Sequence, residues 1–235
     1  MEIENAAELK RTSHADTLKI NKVLSGSFAW MATGLFISFA VSVFVLLNRT
    51  LTDFLFNYRF GFLICLGVEL GLVIYLSARI TKLTSGMARF YFLLYAMVSG
   101  LTLSVIFFSY EISSILSVFI SCSVMFAVLA LYGATTKKDL SGYGKMALFG
   151  LIGLVVALLV NLFIKSTMFD LILAWIGVVV FTMLTAYDVQ KIKAYAEFAN
   201  TDEEIRKASV YGALSLYLDF INLFLSLLRI FGRRR

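Results

Sequence analysis

Seven long apolar runs follow one another along this chain and limit its possible folds more than any other feature. Each is roughly 17 to 23 residues long, which at ~1.5 Å per helical residue approaches the ~30 Å hydrocarbon core of a bilayer. Since lipid cannot satisfy free backbone groups, such runs cross a membrane as helices. We therefore predict an all-α integral membrane protein with seven transmembrane helices. The predicted spans are Ser25–Leu47, Phe60–Ala78, Met87–Ser109, Ser114–Gly133, Met146–Phe163, Leu171–Tyr187 and Ala208–Leu228.

Composition agrees with a membrane domain and argues against other classes of protein. Hydrophobic residues make up 60% of the chain and charged residues 15%, against roughly 45–50% and 25% in soluble domains. We predict a polar cytoplasmic tail over residues 1–24, one seven-helix domain over 25–229 and a short basic tail over 230–235. The net charge of +6 gathers at helix ends, so nucleic acid is not an expected partner. The one histidine, His14, lies in the tail, which argues against a histidine-based metal or catalytic site.

Lysine and arginine counts predict the orientation of the chain, because they concentrate in cytoplasmic loops. With the N-terminus in the cytoplasm, the cytoplasmic segments carry fourteen of these residues and the opposite side carries seven. The opposite side includes Arg49, Arg59, Lys165 and the basic C-terminal residues. The loops thus favour a cytoplasmic N-terminus. The C-terminal tail disagrees, and either it is an exception or the seventh span does not cross fully.

The seventh span carries a polar stripe around one buried acid. Asp219 is the one residue charged at neutral pH between Ala208 and Leu228, and it lies near the middle of that run. Residues three and four apart share a helix face. In a membrane this face must turn inward, toward other helices or toward water. One alternative is a seam that joins helices, although such a seam does not need a charge. The stripe consists of Gly212, Ser215, Asp219, Asn222, Ser226 and Arg229.

Two further acids stand out, Asp188 at the end of the sixth span and Glu69 within the second. If the last two spans pack together, Asp188 and Asp219 can face one cavity, and two carboxylates that close share a proton and titrate as a pair. The alternative without a functional role is that Asp188 is a surface residue beside Lys191. Glu69 is a candidate to line a path or to join a packing network.

A cation could stabilise the unprotonated aspartate pair. Arg79 lies at the end of the second span, on the membrane side where Asp188 is expected, and Lys82 is the second candidate. An ordinary surface anchor is the alternative role for Arg79.

Leu214 to Phe224 has the sequence LSLYLDFINLF and is followed by Leu228-Arg229. This stretch resembles the C-terminal signature of the Bax inhibitor-1 family, the transmembrane Bax inhibitor motif proteins. The short tails and the length of 235 residues are similar to those of its bacterial, YccA-like branch. Tyr187-Asp188 resembles its sixth-helix motif. The segments 137–141 and 98–102 resemble its fourth loop and its third helix.

The resemblance implies a central seventh helix wrapped by the other six, and a pH-sensitive calcium leak. It implies that Asp188 and Asp219 form the pH sensor and that a second-helix arginine, best matched by Arg79, pairs with them. Ca²⁺ would be the permeant ion, passing near Asp219, Asp188 and Glu69, with Ser215, Asn222 and Ser226 along the path and no resident cofactor. The expected location is the bacterial cytoplasmic (inner) membrane.

Three functions are weighed. The first is a proton-gated leak for Ca²⁺ or other cations. The second is a non-transporting regulator that binds a membrane-bound AAA protease, as some YccA-like relatives do, or a stress-response partner. The third, an intramembrane aspartyl protease, is disfavoured because Leu216-Tyr217-Leu218-Asp219 lacks the Gly-x-Gly-Asp motif and the chain has no proline. We expect no enzymatic activity.

Overall fold

The computed structural model describes residues 2–56, 58, 60–80 and 82–235, with side chains from residue 16 onward except at position 56. Residue 59, which contributed to the orientation count, lies outside this part, as do the side chains of residues 10, 11 and 14. The described residues form nine helices. They are α1 (Glu2–Leu47), α2 (Arg49–Phe56), α3 (Gly61–Arg79), α4 (Ser85–Leu103), α5 (Val105–Ser109), α6 (Ile112–Thr135), α7 (Ser141–Ile164), α8 (Thr167–Phe198) and α9 (Asp202–Phe231).

Seven helical segments are long and apolar enough to cross a membrane, which confirms the predicted spans. They are α1, α3, the segment formed by α4 and α5 together, α6, α7, α8 and α9. Their outer surfaces carry large apolar side chains, and a continuous belt of such side chains would be unfavourable in contact with water. Phe149 and Phe163 on α7, for example, are 74% and 88% exposed. A lipid environment explains this exposure, because acyl chains cover such side chains at no hydrophobic penalty.

The first span and α8 extend furthest beyond the predicted bounds. Residues 2–24, predicted as a polar tail, continue the same helix as the first span. The helix α8 runs to Phe198, about three turns beyond the predicted end at Tyr187. The last turns of α8 include charged residues, and a buried face of these turns is formed by Val189, Ile192 and Ala196. Packing of that face keeps the segment helical, so Asp188 lies inside α8 rather than at its end.

The last helix, α9, forms the centre of the bundle. It packs against α1, α4, α6 and α8, while α3 packs on α4 and α7 packs on α8. Four helices thus pack extensively on α9, whereas α3 and α7 pack mainly on α4 and α8. Tyr217 is 0% exposed, as is Leu216. The aromatic side chains Phe119, Phe126 and Phe220 pack edge to face at this core.

The end of α9 lies beside the segments that precede α6 and α8, at what we name the carboxyl end of the bundle. The backbone N–H of Glu111 donates to the carbonyl of Arg233 at 3.0 Å, and that of Arg235 donates to Ser109 at 3.1 Å. Asp170 at the start of α8 contacts Arg229 and Arg234, both at 3.6 Å. The seventh span thus runs the full length of the bundle, and Arg229 of α9 and Arg234 of the basic tail are paired with one acid.

The opposite end, which we name the amino end, carries the connections 80–84, 136–140 and 199–201. A capping box formed by Thr201 and Glu204 starts α9. Lys22 of α1 pairs with Asp202 at 2.9 Å, so α1 and α9 are joined here. Gln190 of α8 binds the connection 136–140 through the N–H of Leu140 and the carbonyl of Lys138. These contacts fix the helix ends that surround the aspartates.

Candidate functional site

The interface between α8 and α9 brings Asp188 and Asp219 together. Asp219 is only 4% exposed, and its Oδ2 has no hydrogen-bond partner among the described residues. Asp188 is close enough to act on it electrostatically, as is Lys191. The Ser215 hydroxyl can donate to the Asp188 carboxylate. A buried carboxylate with an unpaired oxygen requires a proton or a cation, because an isolated buried charge is costly.

Small residues allow the two helices to approach this closely. A Cβ on Gly177 would lie 2.5 Å from the Ser226 hydroxyl, and a Cβ on Gly212 would lie 2.9 Å from the Ile192 side chain. On the outer side of α8, Gly133 of α6 lies directly against the backbone of Ala186. Helices in membranes use such small residues where backbones come close. The sequence pattern therefore supports a tight α8–α9 pair around the aspartates.

The cation nearest to the aspartates is Lys191. It lies one turn after Asp188 on α8 and interacts with both carboxylates. Three tyrosines, Tyr187, Tyr195 and Tyr211, surround it. The spacing of four residues on either side of Lys191 could have indicated two of these neighbours. No sequence signal indicated Tyr211, which comes from α9.

Arg79 and Lys82 lie at the amino end, one at the last residue of α3 and the other just beyond it. Both residues are exposed. Within the described part of the chain, neither forms an ion pair with Asp188 or Asp219. Their pairing with the aspartates stays a prediction.

Glu69 of α3 faces α4. The Thr102 hydroxyl donates to its Oε2 at 2.7 Å, and the Tyr95 hydroxyl donates to its Oε1 at 3.5 Å. The carboxylate also lines a cavity of about 490 Å³ between α3, α4, α5 and α9, which we name the carboxyl-end cavity. Asn222 and Arg229 line the same cavity, so one predicted path residue from α3 and one from α9 meet there.

The other polar residues of the α9 stripe lie along the same helix. Ser226 donates to the carbonyl of Asn222 at 2.7 Å, and Asn222 donates to that of Leu218 at 2.8 Å. Both also border a small cavity of about 60 Å³ against α7 and α8. Their hydroxyl and amide groups are therefore satisfied within the helix, and their oxygens remain able to accept.

A second cavity lies at the amino end, next to the tyrosines. This amino-end cavity has a volume of about 460 Å³ and lies between the end of α3, the end of α8 and the start of α9. Its polar lining consists of Ser77, Tyr195, Glu204, Lys207 and Tyr211. The bundle thus has a cavity at each end, and between these two cavities lie Lys191, Asp188 and Asp219.

A larger cavity, of about 560 Å³, lies outside this axis. Four serines of α6 and Arg233 line it together with apolar side chains of α6 and α9. None of the predicted site residues borders it. Among the described residues, no group of three or more His, Cys, Asp or Glu side chains is placed to hold a metal ion.

Comparisons with known proteins extend the resemblance seen in the motifs. The model of the family described as "Inhibitor of apoptosis-promoting Bax1" matches residues 20–235. The inner membrane protein YbhL of Escherichia coli is 46% identical over 210 residues, covering 88% of this chain and 90% of YbhL. An uncharacterized protein of Borreliella burgdorferi is 39% identical over 216 residues, covering 92% and 93%. A protein of Deinococcus radiodurans, also uncharacterized, is 34% identical over 232 residues and covers 99% of both chains. With a match over nearly its whole length and the signature around Asp219 in its central helix, this membrane protein belongs to the Bax inhibitor-1 family.

Proposed function

We propose that this protein is a proton-sensitive leak for cations, with Ca²⁺ as the first candidate ion, in the inner membrane of a bacterium. The observation that carries the proposal is the buried carboxylate of Asp219, whose Oδ2 has no partner among the described residues and whose charged neighbours are Asp188 and Lys191. Such a group changes its surroundings when it gains or loses a proton. Inner-membrane placement follows the printed name of the Escherichia coli relative.

The arrangement of cavities supports a path through the bundle. A cation at the carboxyl end would meet Glu69 and Asn222 in one cavity, and Asp219 lies one helical turn from Asn222. At the amino end it would meet Glu204. The aspartate pair lies between the two cavities, and neither Asp188 nor Asp219 borders either of them. This geometry fits a closed path that opens when the aspartates change protonation.

The chemistry of the lining suits passage better than storage. Ca²⁺ prefers six to eight oxygen ligands. Asp188, Asp219 and Glu69 lie on three different helices and offer few oxygens at any one position. A cation would therefore be held weakly at each point and could move on.

Ca²⁺ influx into proteoliposomes between about pH 6 and pH 8 tests the proposal. Wild-type protein is compared with Asp188→Asn and Asp219→Asn, and with Asp139→Asn, an exposed loop aspartate, as the matched control. We expect wild-type flux to change with pH, the two site variants to lose or shift that dependence, and the control to behave as wild type. Unaltered pH dependence in both site variants would refute the sensor role.

Folded wild-type protein that gives no flux above empty vesicles would refute the leak itself. The second reading from the sequence, a regulator that binds a membrane-bound AAA protease or a stress-response partner, would then take its place.

A further inference from the structure

Three tyrosine rings form a cage around the ammonium group of Lys191. Its Nζ lies 5.9 Å from the ring centroids of Tyr187 and Tyr195 and 5.5 Å from that of Tyr211. Tyr187 and Tyr195 come from the turns of α8 before and after the lysine, and Tyr211 comes from α9. The rings of Tyr195 and Tyr211 meet edge to face at 5.1 Å. Aromatic faces attract cations, so the cage holds the ammonium in place.

Electrostatics and packing support this cage. The ammonium interacts favourably with the Tyr211 hydroxyl. On the other side, Gly144 of α7 leaves room for the Tyr187 ring, since a Cβ there would lie 2.5 Å from it. Three helices therefore contribute to one cation position, and the position is a built feature of the α8–α9 interface.

The caged ammonium lies near the aspartates without binding them directly. It acts electrostatically on Asp188 and Asp219, yet within the described residues it forms no ion pair with either. Tyr195 and Tyr211 also line the amino-end cavity. Lys191 therefore adjoins two side chains of that cavity and lies one helical turn from Asp188.

We infer that Lys191, held by Tyr187, Tyr195 and Tyr211, closes the connection between the amino-end cavity and the aspartate pair. Its ammonium group is a tethered cation in a site that fits a small ammonium ion. The positive charge repels other cations at close range, and the side chain fills the space between the rings. This inference rests on the proposed function. It adds which residue closes the path and states that the closure excludes cations. It also gives Lys191, rather than a residue of α3, the role of the cation next to the aspartates.

Accessibility of a cysteine at position 215 tests the closure without requiring any ion flux. Ser215 lies beside Asp188, and the two native cysteines, Cys65 and Cys122, are buried and can be replaced by alanine. A cationic thiol reagent is applied at the amino end to Ser215→Cys in this background. We expect slow labelling with Lys191 present and labelling about tenfold faster with Lys191→Met, which corresponds to about 1.4 kcal/mol in the barrier. Added methylammonium should slow labelling in a Lys191→Ala protein, whose short side chain vacates the space between the rings, and leave the Lys191 protein unchanged.

Matched variants separate closure from a general charge effect. Lys207→Met also removes one positive charge, from the lining of the amino-end cavity, without touching the cage, so its labelling rate should stay near that of the parent. Tyr211→Phe keeps the ring and removes the hydroxyl that interacts with Lys191, so its rate should be intermediate. It also serves as the test variant if Lys191→Met does not fold, as judged by thermal unfolding in detergent.

The outcomes for closure and for leak are distinguishable. Equal labelling rates with Lys191 and with methionine, or no protection of the Lys191→Ala protein by methylammonium, would overturn the closure even if pH-dependent flux is found. Accelerated labelling in Lys191→Met, with no Ca²⁺ flux in any variant, would support the closure while refuting the proposed leak. If the closure and the leak are both correct, Lys191→Met should raise Ca²⁺ flux under conditions where the wild type is closed.

Discussion

The hydroxyl of Tyr217 lies 2.7 Å from the Oγ of Ser38, across the interface between α9 and α1. Ser38 also donates to the carbonyl of Ala96 on α4 at 2.7 Å. The Tyr217 ring packs edge to face against Phe92 and Tyr95 of α4, at 6.0 and 5.5 Å. One buried side chain of the central helix thus joins three helices on the side of α9 that faces away from the aspartates.

Tyr217→Phe should therefore destabilise the bundle by about 1 kcal/mol, because it removes one buried hydrogen bond and keeps the aromatic packing. Thermal unfolding in detergent measures the loss. Tyr58→Phe removes a hydroxyl from an exposed ring and should leave the unfolding midpoint unchanged. An equal effect of both substitutions would contradict the role assigned to the Ser38–Tyr217 contact.

Close backbone contact between α6 and α8 gives a second prediction. A Cβ on Gly133 would clash with the backbone carbonyl of Ala186, two residues before Asp188, while a Cβ on Gly153 of α7 would meet nothing within 4 Å. Gly133→Ala should destabilise the protein by about 1–3 kcal/mol, as overpacking does, because backbone cannot move aside like a flexible side chain. Gly153→Ala should be neutral or slightly stabilising, since alanine favours a helix. Unfolding midpoints of the two variants decide, and a tolerated Gly133→Ala would disprove the close approach.

The lengths and apolar character of the spans were predictable because they are local properties. A run such as Met146–Phe163 needs no partner to be recognised as a membrane helix, and the same holds for the acid in the middle of the last span. The end of α8 was not predictable in this way. Lys191, Lys193 and Glu197 interrupt the apolar run, yet buried neighbours on the opposite face keep those turns helical.

Contacts between distant segments were the part that the sequence did not disclose. Charge counting treats every arginine of the tail as free, whereas Asp170 pairs with Arg229 and Arg234. The same limit applies to the lysine cage. Tyr211 reaches Lys191 only because α8 and α9 pack antiparallel in one particular register, and neither helix specifies that register by itself.

The pairing of Asp170 with the tail gives a third prediction. Both arginines are partly exposed, so the pairs should contribute at most about 1 kcal/mol to stability. Asp170→Asn should nevertheless free the tail, and trypsin should cleave after Arg233 and Arg234 several-fold faster, as followed by mass spectrometry. Asp139→Asn at the other end of the bundle is the control and should not change the rate. Unchanged cleavage in Asp170→Asn would indicate that the backbone contacts to Ser109 and Glu111 hold the tail without the acid.

Glu69 gives the fourth prediction, because its charge and its hydrogen bond can be separated. Glu69→Gln keeps an oxygen that accepts from Thr102 and removes the charge, whereas Thr102→Val removes the donor and keeps the charge. If Glu69 attracts cations into the carboxyl-end cavity, Glu69→Gln should lower Ca²⁺ flux by about fivefold or more. At an effective dielectric constant of ~20, a carboxylate several Å away favours a divalent cation by more than ~1 kcal/mol.

Thr102→Val should instead loosen the α3–α4 contact by about 1 kcal/mol, measured as faster hydrogen exchange in α3, while the carboxylate remains available to cations. Gly71→Ala, on the same helix with nothing within 4 Å of the added Cβ, controls for substitutions in α3 as such. Unchanged flux in a folded Glu69→Gln protein would remove Glu69 from the path and leave it as a packing residue. A fall in flux for Glu69→Gln alone would tie the carboxylate charge to the ion, since the hydrogen bond to Thr102 is preserved in that variant.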